Sequence, residues 1–160
     1  MNQTGTYVKI LRESLERKKR YLEEMLTLTN KQAEYAAAET FDEAAFSELV
    51  DKKEVLIGNI NEGDKGFASV YERVKQEIQA DPASYREDLQ AIQSLIRQCV
   101  DLGVQIEAVE ERNRAAMEQV FAAKFQGVRQ IKQSKTVASK YYKSMANGMV
   151  NDSLLYDRKK

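Results

Sequence analysis

The sequence predicts an all-α protein: a long antiparallel three-helix bundle, or coiled coil, with an extended C-terminal helix. Three observations carry this. Apolar residues recur on alternating three- and four-residue steps through most of the chain, the period that keeps one helix face toward a partner. The chain of 160 residues contains a single proline, Pro82. Its charged content of 31% beside 42% hydrophobic residues suits long exposed helices better than a compact sheet. The length fits one domain.

The first helix is expected over about 7–38, with Thr4 or Thr6 as its N-cap. Val8, Leu11, Leu15, Leu22, Met25, Thr29 and Ala36 hold its stripe, widened by Leu26 and Ala33. The run Glu16-Arg17-Lys18-Lys19-Arg20 reads as a solvated face of mixed charge. The second helix is expected over about 42–79. Thr40-Phe41-Asp42-Glu43 offers a capping box from Thr40 to Glu43, with Asp42 as the rival cap. Phe46, Leu49, Lys53, Leu56, Ile60, Phe67, Val70 and Val74 share one heptad phase as far as Ile78. Gly63 and Gly66 fall inside that phase, each costing a helix interior about 1 kcal/mol relative to Ala. A turn there would make a four-helix fold, but the unbroken phase favours one helix.

Asp81-Pro82 ends the second helix and starts the third, with Pro82 at the first position, where its missing N–H is harmless. Leu89, Ile92, Ile96, Cys99, Gly103, Ile106, Met117 and Val120 mark the inner face, flanked by Leu95, Leu102 and Val109. The pattern runs to about Met145, and Asn147-Gly148 reads as its stop. At 1.5 Å per residue the three helices would span roughly 50, 55 and 90 Å. Two shorter helices cannot cover the third. The body is therefore expected over 1–119 (helices about 7–38, 42–79 and 83–119), with an overhang over 120–146 and a mobile tail over 147–160.

The overhang is chemically distinct. No Asp or Glu occurs from Val120 to Val150. Residues 120–160 carry nine Lys or Arg against Asp152 and Asp157, a net of +7 in a chain of formal charge zero, so residues 1–119 sum to −7. An apolar stripe persists through it. Val120, Phe121, Phe125, Val128, Ile131, Tyr141, Tyr142 and Met145 are therefore the expected surface for a helix from another protein. Lys124, Arg129, Lys132 and Lys135 would steer an acidic partner segment. Two further readings stand beside this one. The basic helix could fold back or pair in a homodimer. It could also bind nucleic acid or an anionic membrane, which the acidic body disfavours.

Chemistry for catalysis is thin. With no histidine, Ser-His-Asp and Cys-His catalysis, most catalytic zinc sites and Glu-x-x-His di-iron sites are excluded. No P-loop or G-x-G-x-x-G occurs. Carboxylates such as Glu107, Glu110 and Glu111 read as solvated surface. The expectation is a non-enzyme with no catalytic residues, no metal and no cofactor. Lone Cys99 fits a reducing compartment. No apolar run reaches 18 residues and no signal peptide is evident, so neither membrane insertion nor secretion is expected.

Three segments carry a resemblance. They are Asp42-Glu43-Ala44-Ala45-Phe46-Ser47-Glu48-Leu49-Val50-Asp51-Lys52-Lys53-Glu54-Val55-Leu56-Ile57, the stretch from Ile106 to Met117 with its Asn113, and Tyr141-Tyr142-Lys143-Ser144-Met145. Together they resemble the FlgN-like family of flagellar export chaperones. The resemblance implies a cytoplasmic type III export chaperone that binds the C-terminal helical segments of hook–filament junction proteins. It would prevent their premature assembly and hand them to the flagellar export gate, which Tyr141 or Tyr142 would touch. The tail Leu154-Leu155-Tyr156-Asp157-Arg158-Lys159-Lys160 departs from the family's pattern. The alternatives are another flagellar secretion chaperone, such as a filament-cap chaperone, and a structural coiled-coil homo-oligomer without a client. A chaperone would self-associate weakly at most.

Overall fold

The apolar stripes of the sequence become three long helices in the computed structural model, which describes residues 3–124. Helix α1 spans Gln3–Ala37, α2 spans Glu43–Ala80, and α3 spans Arg86–Lys124 after a 3-10 turn at Pro82–Tyr85. No strand occurs among the described residues. Polar partners give the chain direction. Lys18 pairs with Asp64 and Lys53 with Gln32, so α2 descends as α1 rises. Arg12 pairs with Asp88 and Asn113 with Thr29, so α3 rises beside α1. Helix α1 packs closely along both others, whereas the α2 and α3 backbones rarely approach one another.

The ends differ in detail from the sequence expectations. Helix α1 already includes Thr4 and Thr6, so neither is its N-cap. The cap of α2 is Asp42, not Thr40: the Ala45 N–H donates to Asp42 Oδ1 at 3.0 Å. With Asp42 as cap, Phe41 precedes the cap and Phe46 is the fourth helical residue. Their rings lie 5.5 Å apart, a hydrophobic staple that sets the angle at which the chain enters α2. At the other end, the Asp81 N–H donates to the Glu77 carbonyl at 3.1 Å and closes α2. Pro82 then opens the 3-10 turn rather than α3 itself.

Helix α2 runs unbroken through Gly58, Gly63 and Gly66. A Cβ built on any of the three would meet nothing within 4 Å, so close packing is not what requires glycine there. Each instead costs helix stability through backbone entropy. Gly63→Ala and Gly66→Ala should each raise unfolding stability by about 0.5–1 kcal/mol, read as a higher urea midpoint at unchanged m-value. Loss of stability in both would place a break in α2. Asp42→Ala should lower stability by about 1 kcal/mol in the same measurement.

Candidate functional site

The core is not one apolar column. It divides into three compartments along the bundle axis. The first gathers Val8, Leu11 and Leu15 of α1, Phe67, Val74 and Ile78 of α2, and Leu89, Ile92 and Ile96 of α3. The second gathers Leu22, Met25 and Leu28 with Leu49, Leu56 and Ile60 and with Cys99 and Ile106. The third, at the end where α1 turns into α2, holds Ala36, Phe41, Phe46, Met117 and Phe121.

Two charged or polar layers interrupt the apolar column, although Tyr35 packs against both the second and the third compartment. Between the first and second compartments, Lys18 Nζ lies 3.0 Å from Asp64 Oδ1, with both side chains largely buried. The expectation of a solvated charge run at 16–20 therefore fails at Lys18, which turns inward at the next core step after Leu15 and is only 8% exposed.

A second polar layer takes a residue from every helix; on α1 and α3 it lies between the second and third compartments, and on α2 Lys53 stands between Leu49 and Leu56 of the second. Lys53 of α2 is 5% exposed. Its ammonium donates to Gln32 Oε1 of α1 at 2.7 Å and forms an ion pair with Glu110 of α3. Beside it, Asn113 Nδ2 donates to the Thr29 carbonyl at 3.1 Å, and Thr29 Oγ1 donates to the Met25 carbonyl at 2.7 Å. Burial pushes the Lys53 ammonium below its ordinary value of 10.5, an effect larger than the opposing pull of Glu110. Glu110 is thus not solvated surface as the sequence suggests, although Glu107 and Glu111 are exposed. The heptad phase of α2 already contains Lys53. The phases of α3 and α1 likewise contain its partners, Glu110 between Ile106 and Asn113 and Gln32 between Thr29 and Ala36, a signal that the carboxylate's charge outweighs when it is read as solvated surface.

Phe121 corrects the expected end of the body. It is 5% exposed, and its ring stands edge-on to Phe41 at a centroid distance of 6.0 Å. Val120 packs against the same compartment. The sequence expectation puts both on an uncovered client surface beginning at 120. They instead close the bundle, packing with Phe41 of the α1–α2 loop and its neighbours. Lys124 is the last residue of α3. The other residues expected to meet a client or steer it lie outside the described residues: Phe125, Val128, Ile131, Tyr141, Tyr142, Met145, Arg129, Lys132 and Lys135. The expected boundary at 146 and the tail at 147–160 lie outside them too.

Among the described residues, no group of three or more His, Cys, Asp or Glu is placed to hold a metal ion. No described helix is long and apolar enough to cross a membrane. A shallow groove between α1 and α2 borders the Lys18–Asp64 pair and is lined by Ser14, Arg17, Tyr21, Asn59 and Glu62. Comparisons with family models, curated proteins and solved structures return no match.

Two outcomes follow for the Lys53 layer. Glu110→Leu alone leaves a buried cation short of its counter-ion and should cost about 3–5 kcal/mol in denaturant unfolding. Lys53→Met combined with Glu110→Leu removes both charges and should recover that loss in full or exceed the parent. If the double variant were as unstable as the single one, packing and not charge would dominate the site. The pH sign is also fixed. Between the lowered folded value of Lys53 and 10.5, the unfolded chain binds more protons at this residue. Its contribution to stability therefore rises with pH across that window. The stability of the parent minus that of Lys53→Met should climb there, and a fall would reverse the assignment.

Proposed function

We propose that this protein is a cytoplasmic, non-enzymatic flagellar type III export chaperone that holds the C-terminal helical segments of hook–filament junction proteins and delivers them to the export gate. The observation that carries the reading is continuity of one stripe across the end of the body. Met117 and Phe121 are buried against the α1–α2 hairpin. The sequence then repeats apolar residues at Phe125, Val128 and Ile131 in the same spacing, with no acidic residue among them. The hairpin ends at Phe41, so on this reading a client helix takes over from α1 and α2 as the neighbour of that stripe. The resemblance to FlgN-like chaperones supports the same assignment, and Tyr141 or Tyr142 is its candidate gate contact.

With Val120 and Phe121 assigned to the body, six of the expected client residues remain: Phe125, Val128, Ile131, Tyr141, Tyr142 and Met145. Aromatic side chains bury about 150–250 Å² each. The set comes near the roughly 800 Å² per partner of a standard interface. Ordering the segment on binding would make affinity lower than area suggests. Lys124, Arg129, Lys132 and Lys135 would act on association rate, screened by salt over about 10 Å at 0.1 M.

The test is a pair of variants measured for binding to a junction-protein C-terminal segment and for thermal unfolding. Phe125→Ala with Val128→Ala should weaken binding while the bundle melts at the parent temperature. Phe121→Ala should lower the melting temperature. Client binding unchanged in the double variant would remove the segment as the binding site. An oligomer that persists on dilution with Phe125 protected, and no client binding, would favour a structural coiled-coil subunit.

A further inference from the structure

We propose that the outer face between α2 and α3, in the half of the bundle that ends at Phe41, is a docking surface for the basic segment 128–145 of the same chain. This goes beyond the chaperone reading and does not depend on what that segment binds. The charge of the body is one-sided. With the Lys18–Asp64 layer as the divide, residues 19–63 and 100–119 carry fifteen Asp or Glu against seven Lys or Arg, whereas 1–18 and 64–99 carry eight against nine. The acidic half is also where α3 ends, at Lys124. Around α2, Asn59 and Gly63 stand on the side of α1, where they border the shallow groove. Glu54 and Ile57 lie the other way round from Lys53, toward α3. Around α3, Asn113 reaches α1, and Val104, Glu107 and Glu111 lie the other way, toward α2. The two flanks border one face, across which the α2 and α3 backbones rarely approach. Its rim is Glu54, Glu107 and Glu111, all exposed, and Glu111 also holds Arg114 at 3.0 Å. Its floor is apolar: Val104 is 55% exposed, and Val50, Ile57 and Val100 are half-buried.

The sequence after this half supplies an occupant that matches the face in charge, pattern and reach. Residues 124–145 contain six Lys or Arg and no Asp or Glu. Val128, Ile131, Ala138, Tyr142 and Met145 recur at helical steps, with Arg129, Lys132, Lys140 and Lys143 beside them. Eighteen residues from 128 to 145 would span about 27 Å as a helix, the same length as α3 from Val104 to Phe121. Phe125-Gln126-Gly127 is long enough to reverse the chain, since loops of about two to five residues join antiparallel helices. A floor of four medium-sized side chains falls short of the roughly 800 Å² per partner of a standard interface. A free partner would gain little from it. A segment tethered by a short linker meets it at an effective concentration on the order of mM, so the small contact holds it. That difference selects the chain's own segment over a second copy.

The test is zero-length coupling of the full chain with a carbodiimide, which joins an amine to a carboxylate only where the two meet. Peptide mass spectrometry should find Lys132, Lys135, Lys140 or Lys143 joined to Glu54, Glu107 or Glu111. Links made as often to Glu13 and Glu24 on the outer side of α1 would reveal untargeted attraction and overturn the proposal. In a mixture of isotope-labelled and unlabelled protein, the links should stay within one chain. Links between labelled and unlabelled chains would make the occupant a second copy, against the proposal. Val104→Lys changes an exposed side chain, so the melting temperature should stay at the parent value while the links fall by about tenfold. An unchanged yield would remove the face as the site. Trypsin supplies a readout that needs no carboxylate: Glu54→Gln with Glu107→Gln should speed cutting at Lys132–Lys143 by about threefold or more, and so should about 1 M salt, where screening sets in over about 3 Å. Cutting at the parent rate in both would overturn the assignment of the rim.

Discussion

A lysine ammonium inside a helical bundle must find a carboxylate and a second acceptor at one level, or its burial costs more than the packing around it returns. Lys53 meets that demand with Glu110 and Gln32, one from each neighbouring helix. This single requirement fixes three helices against one another. Leucines repeated every seven residues do not, because sliding α2 by one heptad, about 10 Å, would bring a new leucine into each vacated place. The same slide would strand Lys53 among apolar side chains. Lys18 and Asp64 impose the equivalent constraint on α1 and α2 at the far side of the second compartment. Two layers at separate heights define both register and direction, so a reversed or slipped bundle loses both ion pairs together.

The geometry around these layers explains why α1 is the central helix. Its buried positions include Thr29 and Gln32 as well as leucines, so it presents apolar side chains and hydrogen-bonding groups to both neighbours. Thr29 turns its hydroxyl back to the Met25 carbonyl, while its own carbonyl accepts from Asn113. The α2 and α3 backbones stay apart, and at the Lys53 level a long side chain bridges the gap where two shorter ones would not meet.

Periodicity makes the three helices legible in the sequence. The break at Pro82, the survival of α2 across Gly63 and Gly66, and nearly all the buried apolar residues follow from the stripe alone. The layers are less legible. Lys53 stands in the phase of α2, but Lys18 is hidden in a run of five charged residues whose composition resembles a wet surface. Glu110 sits among Glu107 and Glu111, and only the angle of each around α3 separates the buried one from the exposed pair. The end of the body is misplaced for a different reason. Counting helical residues treats a loop as having no length, and Phe41 belongs to the loop. Its ring, stapled to Phe46, gives Phe121 a neighbour that no helix-length argument contains.

That neighbour changes what the basic segment can be. If the stripe were idle from Val120 onward, any apolar surface of sufficient area could cover it. If the proposed function holds, a partner of Phe125, Val128 and Ile131 would begin where the hairpin ends, because Phe121 already packs against Phe41. On the proposed reading, that partner is a helix laid in continuation of the hairpin, its length set by the distance from Phe125 to the tyrosines. Charge narrows the partner further. On that reading, a segment without Asp or Glu from 120 to 150 would attract acidic helices from solution, while the body of net −7 would compete for the same lysines. Salt should act on both attractions alike. The selectivity of the proposed capture would then rest on the apolar stripe, whose spacing would reject a partner that cannot present side chains at the matching three- and four-residue steps.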